Sequence, residues 1–284
     1  VMLRPTQSSI IFIQQLGRGL RKNKEKDYVV VIDFIGNYEK NFFIPIALSG
    51  NTNFNKDNLR RFVSEGNLII PGASTIQFDE ISKKRIFDAI DAAKFNGVTL
   101  IKEKYFELKN KLGRIPKIFD FEKYGSIDIQ KIFQNKDLRS YHEFLKKYDD
   151  DYTVQFTELE EQYLKFISNK LSSGKRIQEL ETIRLAIEKK SNLMNYLKEE
   201  MKNTYNITIT DVGYETIRNI LTQNFASGTG KGTYKDIEVL DKNDRISPTF
   251  SKLLLNKEFK RQVLEVIDYA INQYHKKYSK RYKD

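Results

Sequence analysis

The residues with the clearest chemical potential lie near the start of the chain. Gln14, Arg18 and Arg21 fall at i, i+4 and i+7 in the run Gln14-Gln15-Leu16-Gly17-Arg18-Gly19-Leu20-Arg21. On a continuous helix the three project from one face. Two guanidiniums and an amide there make an array of donors suited to a chain of phosphates. Gly17 and Gly19 stand beside them and remove side-chain bulk where a ligand or a second domain must approach closely. The competing reading of such a run is an ordinary surface helix with solvated arginines.

The flanking sequence indicates what must hold these residues. Ser8 or Ser9 is a candidate N-cap ahead of Ile10, Ile11, Phe12 and Ile13, and Gly17 and Gly19 end or loosen the helix. A charged turn from Lys22 to Asp27 leads into Tyr28-Val29-Val30-Val31-Ile32-Asp33, a β-branched run of the kind shown by a strand covered on both faces. Residues 1–3 then read as the tail of a strand, and the chain as a fragment that begins inside an α/β domain. Phe42 to Leu48 is a further candidate strand, moved to an edge or irregular position by Pro45. Thr6 or Ser8 either touches a nucleic-acid phosphate or caps the helix. Asp33 and Asn37 bracket the turn after the strand and suit Asx-type hydrogen bonds better than acid/base chemistry.

Read as Gln-x-x-Gly-Arg-x-x-Arg, the residues Gln14, Gly17, Arg18 and Arg21 resemble motif VI of superfamily 2 helicases. Leu3-Arg4-Pro5-Thr6 with Ser8 before the motif, and Val31-x-Asp33-Phe34-x-Gly36-Asn37-Tyr38 after it, are similar to one subgroup, the bacterial DEAD/DEAH-type, type-III-restriction-like helicases. The resemblance is close over residues 2–38. Asn67 to Ala73 and Leu112 to Pro116 also look like the C-terminal region attached to those helicases. It implies that ATP, with Mg2+, sits between two RecA-like lobes in the full-length protein, and that this chain supplies the end of the second lobe. Arg21 would be the arginine finger at the γ-phosphate, Arg18 would contact the phosphates beside it, and Gln14 would orient the nucleotide or its attacking water. Gly17 and Gly19 would let the nucleotide approach. No Walker A loop, DEAD/DEAH box or complete motif V is present, and the resemblance puts all three before Val1. Gly228 to Thr233 fails as a Walker A loop, because Phe225 and Gly232 stand where Gly and Ser/Thr are needed. The chain alone is therefore expected neither to bind ATP well nor to hydrolyse it.

From about residue 79 the apolar spacing becomes helical. Ile101, Tyr105, Leu108 and Leu112 repeat at helical intervals, with Gly113 as C′ and Pro116 beyond. Thr157 and Glu160 form a capping box, and Ser172-Ser173-Gly174 stops that helix. Leu193 to Met201 and Phe259 to Tyr274 repeat the pattern. Helix 213–224, the loop Ala226 to Thr233 and a short strand from Asp236 to Leu240 would make a small winged element. The expected fold is mainly α: a short α/β remnant of a RecA-like lobe over 1–50, then helical regions over 51–150 and 151–284 divided at Asp149-Asp150-Asp151. Lys102 to Tyr141 mixes Lys109, Lys111, Arg114 and Lys117 with aromatic residues, which suits either a nucleic-acid-binding face or solvated lysines around an aromatic core. Arg4 and Thr6 join these as candidate nucleic-acid contacts. The basic tail after His275 reads either as a grip on a phosphate backbone or as a frayed helix end.

Composition narrows the chemistry. The 284 residues include no Cys and two His, so Cys-ligated zinc, thiol nucleophiles and multi-His metal sites drop out. With 49 Lys+Arg against 38 Asp+Glu, the net charge of +11 favours a polyanion, nucleic acid and DNA first, as partner beside the N-terminal RecA-like lobe. There is neither an 18-residue apolar run nor a signal peptide, so no membrane is expected and the cytoplasm is the default location. The alternative function is a non-enzymatic DNA-binding or protein-interaction module.

Overall fold

The computed structural model describes residues 9–21, 29–33, 42–49, 56–65, 76–93, 97–124, 127–188, 192–224, 234 and 237–278. Among them are fourteen α-helices and no strand, so the protein is mainly helical. The chain divides into two compact units, one of residues 1–116 and 120–128, the other of residues 117–119 and 129–284.

The first unit begins with α1 (Ser9–Gly19) and α2 (Phe43–Ser49), which pack on each other. α2 occupies the segment expected as a strand. Pro45 is its third residue, where the missing N–H is one of the four that a helix leaves unpaired anyway, so the helix tolerates it while Phe43, Ile44 and Ile46 are buried. α3 (Lys56–Glu65) and α4 (Glu80–Ala92) follow, joined by an Arg60–Asp91 ion pair and by Lys56 Nζ donating to the Asp91 carbonyl at 2.7 Å. Asp79 starts α4 by accepting from the Ser82 N–H at 2.9 Å. In α5 (Val98–Leu112), Ile101, Tyr105 and Leu108 face the core as their spacing requires. Gly113 ends it at φ +65°, donating to the Lys109 carbonyl at 2.9 Å. Lys104, only 2% exposed, is held by Glu107 at 2.8 Å and lies 4.5 Å above the Phe43 ring. Part of α6 (Ile118–Tyr124) completes this unit, with Phe121 stacked 6.4 Å from Tyr105.

The expected strand at residues 28–33 is not formed by the described residues. Val29 to Ile32 lie outside any strand, with Val30 70% and Ile32 52% exposed, where a doubly covered strand would have both buried. Val29 is half-buried and Asp33 takes part in an isolated bridge, while Val30 to Ile32 stay exposed.

The second unit contains α7 (Gln130–Phe133), α8 (Tyr141–Tyr148), α9 (Glu158–Phe166), α10 (Ile177–Ile187), α11 (Leu193–Tyr205), α12 (Asp211–Leu221), α13 (Pro248–Leu253) and α14 (Lys257–Tyr278). The capping box at α9 is complete: Thr157 N–H donates to Glu160 Oε2 at 2.8 Å and Glu160 N–H to Thr157 Oγ1 at 3.3 Å. α9 then widens into a π-helical turn, Ile167–Leu171. Asn169 Nδ2 donates to the Phe133 carbonyl at 2.7 Å and Gln130 Nε2 to the Ser172 carbonyl at 2.9 Å, which ties that turn to α7. α10 is buried along nearly its whole length and packs against α11, α12 and α14. Tyr163 stacks on Phe250 at 4.8 Å while its hydroxyl donates to the Glu238 carbonyl at 2.8 Å. The acidic run Asp149–Asp151 lies inside this unit, between α8 and α9. Of the expected strand at 236–240, the described residues form only an isolated antiparallel bridge between Leu240 and Ile246. Asp241 Oδ1 closes the intervening turn by accepting from the Asn243 and Arg245 N–H groups, and this local Asx turn takes the place of a longer ladder. No helix among the described residues is long and apolar enough to cross a membrane.

Candidate functional site

Among the α1 side chains that are described, Phe12 is buried and anchors the helix while Gln14 and Arg18 stay exposed one turn apart. The helix ends at Gly19, with Leu20 N–H closing the last turn on the Leu16 carbonyl at 3.1 Å. Arg21 is therefore two residues past the helix, and the i+7 relation to Gln14 is replaced by a turn. Arg18 and Arg21, both exposed, flank Gly19, and neither makes an ion pair or hydrogen bond with a described residue. A Cβ at Gly17 or Gly19 would meet open space, so neither glycine is required there by close packing among the described residues. The end of a helix carries partial negative charge, which Arg18 in the last turn offsets. An anion here must accordingly be held by the guanidiniums themselves. Arg4, Thr6 and Asn37 lie outside the described residues.

The candidate nucleic-acid contacts of the middle segment have the following surroundings within their own units. Arg114 forks onto the carboxylate of buried Asp120, at 2.7 and 3.1 Å, and so closes the turn between α5 and α6. Lys111 and Lys123 lie 5.0 and 5.4 Å from the Tyr124 ring, and Lys109 lies 6.0 Å from that of Phe106. Lys117, exposed, belongs to the second unit while the other three belong to the first.

Two polar clusters in the second unit had no sequence signature. His142, 1% exposed, receives Tyr152 Oη at 2.8 Å on Nδ1, lies 3.4 Å from Glu161 through Nε2, and packs 4.6 Å from the Phe156 ring. Burial pushes its imidazole below the usual histidine range, against the opposing pull of Glu161, and pushes the Tyr152 phenol up to about 12. Lys165 and Lys147 hold Glu143 below the carboxylate range, outweighing the larger single effect of burial. In the other cluster Tyr205 Oη donates to buried Glu181 at 2.5 Å, and Arg184 bridges Glu181 at 3.8 Å and Asp268 at 2.6 Å. Burial, reinforced by Glu181, raises the Tyr205 phenol above its ordinary range. His142 and Glu161 are 19 residues apart, Tyr205 and Glu181 24, and Arg184 and Asp268 84, separations that leave no local pattern to read.

Among the described residues no three His, Asp or Glu side chains come together as metal ligands. The guanidiniums of Arg18 and Arg21, without a partner among the described residues, have the donor chemistry to meet an anion. No curated protein matches the chain. A family model described as "Domain of unknown function (DUF8090)" matches residues 101–279, from α5 to the end of α14 and more than half of the sequence, and the chain belongs to that family.

Proposed function

We propose that the chain is the C-terminal portion of an ATP-dependent helicase or translocase that acts on nucleic acid, DNA in the first instance. The observation that carries this reading is the pair of exposed guanidiniums of Arg18 and Arg21 around Gly19, neither with a partner among the described residues. In the full-length protein Arg21 would meet the charge that develops on the γ-phosphoryl group, Arg18 the neighbouring phosphate, and Gln14 the nucleotide or attacking water. ATP and Mg2+ supply the transferred phosphoryl group and its counter-charge when bound, and the N-terminal RecA-like lobe would hold the metal. Residues 1–50 would complete the second RecA-like lobe, and exposed Val30, Val31 and Ile32 are the apolar side chains such a lobe would cover. α12 and the Leu240–Ile246 bridge, linked by Val239 N–H donating to the Leu221 carbonyl at 2.9 Å, would form the winged element. The helical remainder would grip nucleic acid in the cytoplasm.

The test is nucleic-acid-stimulated ATP hydrolysis by the protein carrying both lobes. Arg21→Ala is expected to lower turnover by a factor on the order of 10³ or more while circular dichroism and Tm stay at wild-type values. Wild-type turnover by that variant refutes the assignment. A second reading, a non-enzymatic DNA- or protein-binding module, is favoured by the matched family region starting beyond the arginine pair. Under it, no ATP hydrolysis is found in the longer protein at all.

A further inference from the structure

The ends of α11 and α14 bring four rings together at the surface of the second unit. Tyr205 stacks on His275 with centroids 5.3 Å apart and planes 18° off parallel, and meets Tyr274 edge-on at 5.6 Å. Tyr274 in turn lies 4.6 Å from Tyr278. The cluster is anchored from below, because the Tyr205 hydroxyl is fixed on buried Glu181 and Glu181 is backed by Arg184. Above it, His275, Lys276 and Lys277 are exposed, with Lys277 Nζ 5.7 Å from the Tyr278 ring, and Lys202 is exposed one turn before Tyr205 on α11. Among the described residues, Glu181 is engaged as described, Asp268 with Arg184, and Glu200 with the Thr204 hydroxyl at 2.6 Å. The sequence continues past Tyr278 with Lys280, Arg281 and Lys283.

We propose that this aromatic and basic cluster is a binding site for single-stranded nucleic acid, with bases stacking on the His275 and Tyr278 rings and phosphates meeting Lys202, Lys276 and Lys277. Unpaired bases offer π-faces that rings of any sequence context can take up, and lysines beside the rings follow the backbone. A duplex keeps those faces inside its own stack and presents only phosphates to the same surface. This inference rests on the nucleic-acid part of the proposed function and not on its ATP chemistry.

The experiment is fluorescence anisotropy of a labelled thymidine oligomer of about 15 nucleotides, and of a duplex of equal length, titrated with the whole chain at about 50 and 200 mM salt. The single strand is expected to bind tighter than the duplex at the higher salt. His275→Ala combined with Tyr278→Ala is expected to weaken strand binding about tenfold or more at an unchanged salt slope. Lys276→Gln combined with Lys277→Gln is expected to reduce the slope by about 0.7 per lysine. All four positions are at the end of α14, and an unchanged Tm shows that the fold is kept. Equal affinity for duplex and strand, or binding transferred to anionic lipid vesicles, overturns the site. Strand binding that ignores the ring variants also overturns it and leaves the helicase reading standing. Absence of any nucleic-acid binding removes this site and the proposed grip together, whereas the Arg21→Ala result bears on the ATP reading alone.

Discussion

Lowering the pH through the histidine range is expected to destabilise the chain, with His142 setting the slope. Gln262 Nε2 donates to Tyr152 Oη at 2.8 Å, so the phenolic proton is directed to His142 Nδ1, also at 2.8 Å. Nδ1 is thus the acceptor and Nε2 carries the ring proton toward Glu161. The charges around the ring come from α8 (Glu143, Lys146), α9 (Glu161, Lys165) and α14 (Glu258, Arg261), and burial prevails over them to lower the imidazole pKa below its ordinary 6.5. Below that value the unfolded chain takes up a proton that the folded chain refuses. Stability therefore falls from about pH 6.5 down to the folded-state pKa, by at most about 1.4 kcal/mol per pH unit. The structural cost is specific: with a proton on Nδ1, the Tyr152 O–H loses its acceptor, a hydrogen bond worth about 1 kcal/mol, against a total stability of about 5–15 kcal/mol. Urea unfolding followed by circular dichroism between about pH 7.5 and 5.5 reads the slope as the difference between wild type and His142→Gln, in which the opposite titration of Glu179 cancels. His142→Gln is expected to start about 1–3 kcal/mol lower at the alkaline end, and the gap to wild type is expected to narrow toward pH 5.5. A gap that stays constant or widens toward pH 5.5 refutes the reasoning.

Glu179 acts with the opposite sign. It is 1% exposed, and Arg176 Nη2 comes within 2.6 Å of Oε1 without either carboxylate oxygen gaining an aligned hydrogen bond among the described residues. Burial raises its pKa, so its contribution is intact below about 4.5 and is lost as pH rises through the folded-state value. Glu179→Gln should thus stabilise the protein by about 1 kcal/mol at neutral pH and have no effect in acid, as read by urea midpoints at the two pH values. Gly174 has φ +64°, and a Cβ there would stand 2.9 Å from Gln273 Cβ and 3.1 Å from the Tyr274 N. Gly174→Ala is expected to cost about 1–3 kcal/mol in the same assay, with Gly113→Ala, at φ +65° in open space, costing about 1.

What could be read from the sequence was local. Thr157 with Glu160, Gly113 after Leu112, and the apolar spacing of α5 and α14 all concern partners within a few residues, and each forms as the spacing requires. Phe42 to Leu48 misled because a short apolar run has no period that separates strand from helix, and Pro45 is compatible with a first helical turn. Among the site residues, Gln14 and Arg18 share a face as their spacing predicts, while Arg21 leaves the helix because the two glycines end it early. Arg114 was legible as a cation but not as the partner of Asp120, since nothing in an Arg-x-x-x-x-x-Asp spacing distinguishes a fork from two solvated charges. The Tyr205 and His275 pairing needed α11 and α14 to be laid side by side on α10, which only tertiary packing supplies.

The π-helical turn after α9 has a bearing on how the chain tolerates changes in length. An α-helix turns 100° per residue, so adding or deleting one residue rotates every later side chain by that angle relative to those before it. At Ile167–Leu171 the helix already carries a wider turn, held by Asn169 on one side and by Ser172 and Gln130 on the other. Deleting one residue there would restore ordinary α winding and leave Tyr163 and α10 each in their own register. The same deletion between Glu158 and Gln162 would turn Tyr163 by about 100° relative to the capped first turn, away from Phe250. The turn is thus a place along this helix where a single-residue deletion is absorbed without passing its phase change on to the rest of the second unit.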